Sequence, residues 1–338
     1  MKIVKLKEPY DKNAIVDSPI VLALGFFDGV HRGHQEVIKR AIEKGKSLGV
    51  KVAVMTFDRH PKIIFQNIDG EKFKYLTMLD EKLEHFKNLG VDIAYVVKFD
   101  ENLAYLSPQD FIDKYVVGLH AICVVAGQDY TYGKHDIANM DTISDFAKGR
   151  FEIITVDHLQ RNNQKISSTQ IRKDLDSGNV EAANLLLGYQ YENHGTVEHG
   201  FKRGRKIGFP TLNVSIPKNE RILGEGVYAV KVKIDKDNSW YEGMASIGHN
   251  ETFGDDLEKT VEINLFNFDK SVYGEKVIVK WYKFLREMVK FDSVEELIDQ
   301  LNKDKRDTEV FFGDLKKIST YRVALLIFCL KLLTNPIN

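Results

Sequence analysis

The apolar run Pro19 to Leu24 ends in Gly25-Phe26-Phe27-Asp28-Gly29-Val30-His31-Arg32-Gly33-His34-Gln35, and this junction constrains the fold more than any other stretch. No polar residue breaks the run, which predicts a buried strand. Beyond it, Val37/Ile38, Ala41/Ile42 and Leu48 recur at helical spacing, predicting a helix over Gln35–Leu48. The junction is therefore a strand-to-helix turn. Three glycines within nine residues allow close backbone approach to a ligand, and the helix start offers unpaired N–H groups to an anion. His31 and His34, with Arg32 between them, add side-chain donors. Such a turn suits phosphates, although a glycine-rich turn of this kind also serves as plain structure in α/β proteins. Its spacing matches neither GxGxxG nor GxxxxGK[ST]. Two histidines without further ligands, and a Cys123 without a neighbouring cysteine, argue against zinc.

A chain of 338 residues predicts about two domains. Lys+Arg 48 against Asp+Glu 49 leaves no basic excess for nucleic acid and no acidic tail. Two distant cysteines cannot form a disulfide framework, which fits a reducing cytoplasm. Met1–Tyr10 alternates lysines with apolar residues and lacks the apolar core of a signal peptide. Near the other end, Val323–Leu330 is apolar but shorter than the roughly 20 residues a bilayer requires. It reads as a packed terminal helix or a partner-binding segment.

From Val21 to Val156 strands and helices alternate. Strands are expected at Val21–Leu24, Val52–Phe57, Ile93–Val97, Ala121–Ala126 and Ile153–Val156, with helices at Gln35–Leu48, Leu79–Leu89, Pro108–Leu119 and Thr142–Lys148. This order predicts a mostly parallel sheet with ligands beyond the carboxyl ends of its strands. Gly25–His34, Asp58–Pro61 and Gly127–Asp129 all follow strands, so three polar clusters converge on one edge. Ile166–Arg172 then opens a helix whose hydroxyls at 167–169 suit capping or, with Arg172, a phosphate. A short helix, Val180–Leu187, precedes an expected interdomain linker at Gly188–His194.

Beyond Gly195 the texture is β. Short strands are expected at Thr196–Glu198, Leu212–Ser215, Val227–Ile234, Tyr241–Ile247, Val261–Phe266 and Lys276–Phe284, which suggests a small barrel. Asp235–Asn238 reads as a hairpin loop, and Ser293 as the cap of a helix to Leu301 with Glu296 as capping-box partner. Four of the five residues from Lys202 to Lys206 are basic, and the loop closes with Pro210-Thr211-Leu212-Asn213. Basic residues among glycines, closed by hydroxyl and amide oxygens, suit a nucleoside triphosphate with Mg²⁺; a solvated basic patch is the alternative. Glu262, between apolar Val261 and Ile263, is either a solvent-face residue or a placed base.

Over roughly residues 15–312 these motifs, in this order, resemble the bacterial bifunctional riboflavin kinase/FMN adenylyltransferase family, also called FAD synthetase. The resemblance implies an α/β nucleotidyltransferase domain with a Rossmann-like parallel sheet over 1–187, a small β-barrel flavokinase domain over 188–313, and a tail of unassigned role over 314–338. Riboflavin would be phosphorylated by ATP to FMN, and FMN adenylylated to FAD with release of pyrophosphate. In the first domain the resemblance puts Gly25, Phe27, Asp28, Gly29, His31, His34, Asp129, Ser167, Ser168 and Arg172 around ATP, with His31, His34 and Arg172 acting on its phosphates. In the second it puts Gly204, Lys206, Gly208, Pro210, Thr211 and Asn213 around MgATP, with Thr211 and Asn213 at the metal and Glu262 as the base. His60 and Arg286 are assigned to flavin. Phe26, Arg59, Gln128, Gln170 and Glu251 depart from the usual Asn, Pro, Glu, Arg and Pro, which bears on fine substrate contacts. The implied partners are small molecules, without nucleic acid or membrane, and self-association is left open. The competing readings are a nucleotidyltransferase for another substrate and a nucleic-acid binder built on the 202–206 loop; the attached barrel and the near-zero net charge weigh against them.

Overall fold

The computed structural model describes residues 1–161, 164–200, 203–249 and 259–334, with side chains to residue 318 apart from Arg161 and Arg203. Its contacts divide the chain into two units. The first comprises Met1–Lys173, Ala182–Tyr189 and Lys218–Arg221; the second comprises Asp174–Glu181, Gln190–Pro217 and Ile222–Asn338.

In the first unit β1 (Lys2–Leu6), β2 (Ile20–Leu24), β3 (Lys51–Phe57), β4 (Ile93–Val97), β5 (Ala121–Gly127) and β6 (Glu152–Val156) form one parallel sheet in the order β1-β4-β3-β2-β5-β6. Every residue of β2 and β4 is buried, as expected for strands covered on both faces. Side chains alternate between two cores. Leu22 and Leu24 join Met55, Tyr95 and Tyr115 on one face, while Val21 and Ala23 join Val54, Ile38 and Phe86 on the other. The helices are α1 (Arg32–Leu48), α2 (Lys62–Phe65), α3 (Leu79–Leu89), α4 (Glu101–Ala104), α5 (Pro108–Tyr115) and α6 (Ile143–Ala147), followed by the hairpin β7 (Gln160–Arg161) and β8 (Gln164–Lys165). From β2 the chain builds outward through β3 and β4, then restarts on the other side with β5 and β6. The crevice between β2 and β5 is thus the switch point of the sheet.

The edge strand β1 escaped the sequence pattern because Lys2 and Lys5 interrupt it and Ile3 stays half exposed. The Pro108–Leu119 helix stops at Tyr115 and resumes as a short 3₁₀ turn over Val117–Leu119. At Ser167 the expected cap is present, its hydroxyl accepting from Gln170 N (3.2 Å) to open α7 (Ser168–Asp176), which is followed by α8 (Val180–Leu187).

In the second unit β9 (Glu192–Glu198), β10 (Leu212–Ser215), β11 (Gly226–Ile234), β12 (Trp240–His249), β13 (Lys259–Leu265) and β14 (Lys276–Arg286) close an antiparallel barrel in the order β10-β13-β12-β11-β14-β9. Val230, Val232, Ile263, Val279 and Trp281 are among its fully buried side chains. A single turn α9 (Arg203–Lys206) precedes β10, and α10 (Val294–Thr334) follows the barrel. The hydroxyl of Ser293 caps α10 by accepting from Glu296 N (3.1 Å), but Glu296 reaches back to Asp292 N (3.3 Å) rather than to the cap residue. That helix runs far past the expected Leu301, through the backbone of Val323–Leu330; the side chains of that run lie outside the described residues, as do Phe201, Lys202 and Glu251.

The linker expected at Gly188–His194 is corrected by this geometry. Residues 192–194 already belong to β9, and Tyr191 and Asn193 are fully buried. Their polar groups serve the barrel: Trp281 N donates to Tyr191 O (2.9 Å) and the Trp281 indole donates to Asn193 Oδ1 (2.9 Å). Polar composition suggested a linker, but the polarity satisfies a buried indole. Asn193→Leu should leave that N–H without an acceptor and cost about 1–3 kcal/mol. Both tryptophans, Trp240 and Trp281, lie in the barrel, so urea unfolding followed by tryptophan fluorescence reads the change directly.

Candidate active sites

Past Leu24 the backbone enters left-handed conformations at Phe27 (φ 57°), Gly29 (φ 82°) and Val30 (φ 33°). A bulky and a β-branched residue there carry strain of about 1–3 kcal/mol each. The turn is held from several sides. Asp28, 3% exposed, accepts from Leu76 N (3.1 Å), Thr77 N (3.3 Å) and the Arg172 guanidinium. Gly29 N donates to Thr77 Oγ1 (3.0 Å), and the hydroxyls of Ser168 and Tyr189 donate to Asp28 O (2.9 Å) and Gly29 O (2.6 Å). The Gln35 amide spans Val30 O and Leu187 O, both at 2.8 Å. At Gly25 a Cβ would lie 2.6 Å from the Phe27 ring, so only glycine fits.

His31 caps α1, its Nδ1 accepting from His34 N (3.3 Å), which puts the proton of the neutral ring on Nε2. The two imidazoles stack with centroids 3.6 Å apart. Burial holds both neutral: His31 is lowered to about 4, and His34 falls well below the usual histidine value. Burial also lifts Asp28, opposed by Arg172, Lys82 and the two N–H donors. Across the crevice burial works against ionisation of Asp129, but Lys165 (2.7 Å) outweighs it and pulls the carboxyl down.

These groups line a cavity of about 550 Å³ that gathers Gly25, Phe27, Asp28, His31, His34, His60, Asp129, Ser167, Ser168 and Arg172. Gly29 lies behind the turn, where a Cβ would meet Leu76. Phe26 also lines a smaller cavity of about 240 Å³ with Ile63, Tyr75, Met78, Lys82 and Asn219 among its walls. The ring of His60 stacks on Phe73 (4.6 Å) and meets Phe26 edge-on (4.7 Å); burial, then Arg172, Lys62 and Lys82, lowers it to about 3. Lys82 is 2% exposed, donates to Phe26 O (2.9 Å) and sits 3.9 Å over the Phe26 ring; burial lowers it to about 8. Sequence reasoning missed Lys82, although a lysine sharing the apolar face of Leu79, Leu83 and Phe86 was a legible signal. It also missed Thr77, Tyr189 and Asn219, for which no local pattern exists.

The barrel carries a cavity of about 470 Å³ between its outer surface and the start of α10, lined by Gly204, Thr211, Glu262, Asn264, Arg286 and Asp304 among others. Glu262 stands directly opposite Asn213 on β10 and Ser246 on β12. The Thr211 hydroxyl donates to Glu262 Oε2 (3.3 Å), and the Asn264 amide donates to Pro210 O (2.8 Å). The Asn213 side chain lies against Gly200, where a Cβ would fall 1.9 Å from its Nδ2. Gly208 takes φ 84°, and Lys206, Gly208, Pro210 and Asn213 do not line the cavity. Arg286 does, but its guanidinium is held in a fork by Asp304 (2.8–3.0 Å), a 2% exposed carboxylate on α10.

The architecture is that of a flavin-converting transferase with two modules: the FAD synthetase family model matches residues 14–170, and the riboflavin kinase model residues 187–312. The bifunctional riboflavin kinase/FMN adenylyltransferase of Listeria monocytogenes is 47% identical over 316 residues, covering 94% of this chain and 100% of its own. That of Bacillus subtilis is 40% identical over 319 residues, with 94% and 100% coverage. A Streptococcus pneumoniae crystal structure titled a macrolide-efflux protein superposes with a TM-score of 0.84 at 36% identity, covering 91% of this chain and 99% of that one. Among the described residues of this chain, no helix is long and apolar enough to cross a membrane. The chain belongs to the bifunctional riboflavin kinase/FMN adenylyltransferase family.

The buried histidines make stability depend on acid. An unfolded histidine titrates near 6.5 and folded His31 at about 4, so between these values the unfolded state binds more protons. The stability is fully present above pH 6.5 and is lost as pH falls toward 4, with a ceiling of about 3 kcal/mol for His31. His31→Asn keeps a capping acceptor but cannot titrate. Its urea midpoint, read by circular dichroism, should fall less between pH 7.5 and 5 than that of the unaltered protein.

Proposed function

We propose that the two reactions of the family take place at separate cavities, with riboflavin phosphorylated on the barrel and FMN adenylylated at the switch point of the parallel sheet. The reading is carried by the first motif set lining one cavity and by Gly204, Thr211, Glu262 and Arg286 of the second set lining another. The sequence spans 1–187 and 188–313 are taken as the two modules, with 314–338 outside both.

At the sheet, a phosphate oxygen of FMN attacks the α-phosphorus of ATP; the new P–O bond forms as the bond to the β-phosphate bridge breaks and pyrophosphate leaves. FMN brings its own nucleophile, so no base is needed. Catalysis then rests on donors placed where charge develops. Neutral His31 presents its Nε2–H, with His34 stacked behind it, and Arg172 and Lys165 supply positive charge. The flavin ring is assigned to the smaller cavity across Phe26, beside His60, because that space is below the roughly 300 Å³ of a full ligand cleft and suits a ring rather than a whole nucleotide.

On the barrel, Glu262 accepts the proton of the ribityl hydroxyl as its oxygen attacks the γ-phosphorus and ADP leaves. The Thr211 hydroxyl and Asn213 amide oxygen are hard donors fit for Mg²⁺, and the glycine at 200 makes room for the Asn213 side chain. Among the described residues no group of three His, Cys, Asp or Glu is placed to hold a metal, which suits an ion carried mainly by phosphates and water. When bound, Mg²⁺ would neutralise phosphate charge. Arg286, fixed by Asp304, is assigned to flavin. A cytoplasmic location, and partners limited to small molecules rather than nucleic acid, are supported by the two distant cysteines and the formal charge of −1.

Mass spectrometry of products from riboflavin and MgATP tests the pair of activities. His31→Ala or His34→Ala should lower FAD formation by about 10²-fold or more while sparing FMN formation. Equal loss of both activities would mark a folding defect instead. Glu262→Gln should still bind riboflavin yet lose roughly 10²–10⁴ in phosphorylation rate, with adenylylation of supplied FMN unchanged. Near-normal phosphorylation by that variant would return Glu262 to an ordinary strand residue.

A further inference from the structure

Four residues from the second half of the sequence, Lys218–Arg221, belong by contacts to the first unit. They run beside Tyr75 as a one-residue strand addition. Tyr75 N donates to Asn219 O (2.8 Å), Arg221 N donates to Tyr75 O (2.9 Å), and Tyr75 forms a parallel bridge with Glu220, which is 1% exposed. The Lys74 ammonium also reaches Lys218 O. Backbone bonds on both sides thus fix Asn219, half buried, in the wall of the smaller cavity.

Four other polar groups of that wall have partners: the Tyr75 hydroxyl accepts from His60 N (3.2 Å) and Thr77 Oγ1 from Gly29 N (3.0 Å), and the remaining two are Asp58 and Lys82. Asp58 accepts from Phe99 N (2.8 Å) and pairs with Arg59 (3.5 Å), while Lys82 is bonded to Phe26 O. No hydrogen bond among the described residues occupies the Asn219 side-chain amide. An amide offers two donors and an acceptor. The pyrimidine end of an isoalloxazine presents an N–H flanked by two carbonyls, which is the complementary edge. Ile63, Met78 and Leu79 supply an apolar surface for the rest of the ring.

We propose that Asn219 recognises the imide edge of FMN, so that a residue carried in the kinase stretch of the sequence selects the substrate of the adenylyltransferase. This rests on the reading that the flavin ring occupies the smaller cavity. Asn219 is a specificity residue: it contacts the ring and takes no part in bond making or breaking.

The test uses the full-length chain, with FMN and N3-methyl-FMN as alternative substrates for adenylylation. Methylation removes the imide N–H, so the unaltered protein should prefer FMN. Asn219→Leu should raise KM for FMN roughly tenfold or more and erase that preference, with KM for ATP and riboflavin phosphorylation unchanged. Should Asn219→Leu lose both activities, Asn219→Asp keeps the shape and the acceptor for the imide N–H but offers no donor to the flanking carbonyls, so it decides the matter by a raised KM for FMN. A retained preference with an unchanged KM for FMN overturns the role of Asn219. Ile63→Trp separates that failure from a failure of the underlying reading by filling the smaller cavity. If it raises KM for FMN while the Asn219 variants do not, only the role of Asn219 falls; if none of them moves it, the ring binds elsewhere and both fall.

Discussion

The left-handed turn at Phe27–Val30 is the constraint on which the first unit depends. Two of its residues are held where side chains are disfavoured, and within the turn one backbone bond, Val30 N to Phe27 O (3.1 Å), stands against that cost. The compensation comes from outside. Buried Asp28 collects two backbone N–H groups and Arg172, while the Phe26 carbonyl collects Thr56 Oγ1 (2.9 Å) and Lys82. The bonds from Ser168, Gln35, Thr77 and Tyr189 complete the set. Each bond also positions an element of the site: the Asp28–Arg172 pair, for example, brings the start of α7 and its hydroxyls against the cavity. A buried ion pair of this kind contributes little net stability, because desolvation offsets the attraction. Its value here is geometric.

The proposed phosphate site is built around neutral imidazoles, and burial is the reason. A charged His31 or His34 would attract ATP more strongly, but at 5% exposure for His31 the cost of removing the charge from water exceeds what its neighbours return. Charge is supplied instead by Arg172 and Lys165, which keep carboxylate partners in Asp28 and Asp129. A neutral donor can strengthen its bond as charge grows on the departing phosphates, without having drawn the ground state into an equally deep well.

Much of this was legible in the sequence because the decisive signals were local. The apolar run before Gly25, the period-2 strands of the barrel and the hydroxyls at 167–169 each sit within a dozen residues. The convergence of Gly25–His34 with Gly127–Asp129 was legible too, since the C-terminal ends of parallel strands meet at a switch point whatever the intervening chain. Long-range completion was not. Tyr189 on Gly29 and Asn219 beside Tyr75 are contacts across 160 and 144 residues, and nothing near either residue announces them. Asn193 misled for a related reason: polarity in a short stretch reads as solvent exposure unless the buried group it satisfies is known.

The barrel shows why the position of Glu262 could be stated but not its setting. Alternation along β13 puts Val261 and Ile263 inward and Glu262 and Asn264 on the opposite face, which by itself describes a solvent-facing carboxylate. What changes that face into a cavity is α10, whose Val294, Leu297 and Leu301 wall it off. The helix is anchored there by the Arg286–Asp304 fork, reinforced by Gln300 donating to Asp304 Oδ1 (2.8 Å). With Asp304 buried, loss of either partner would leave an uncompensated charge, a cost of about 3–5 kcal/mol, so helix and strand are locked in register. The outer face of a small barrel thereby becomes a recess in which Glu262 faces Asn213 and is bonded to Thr211, the setting on which its proposed role as base rests.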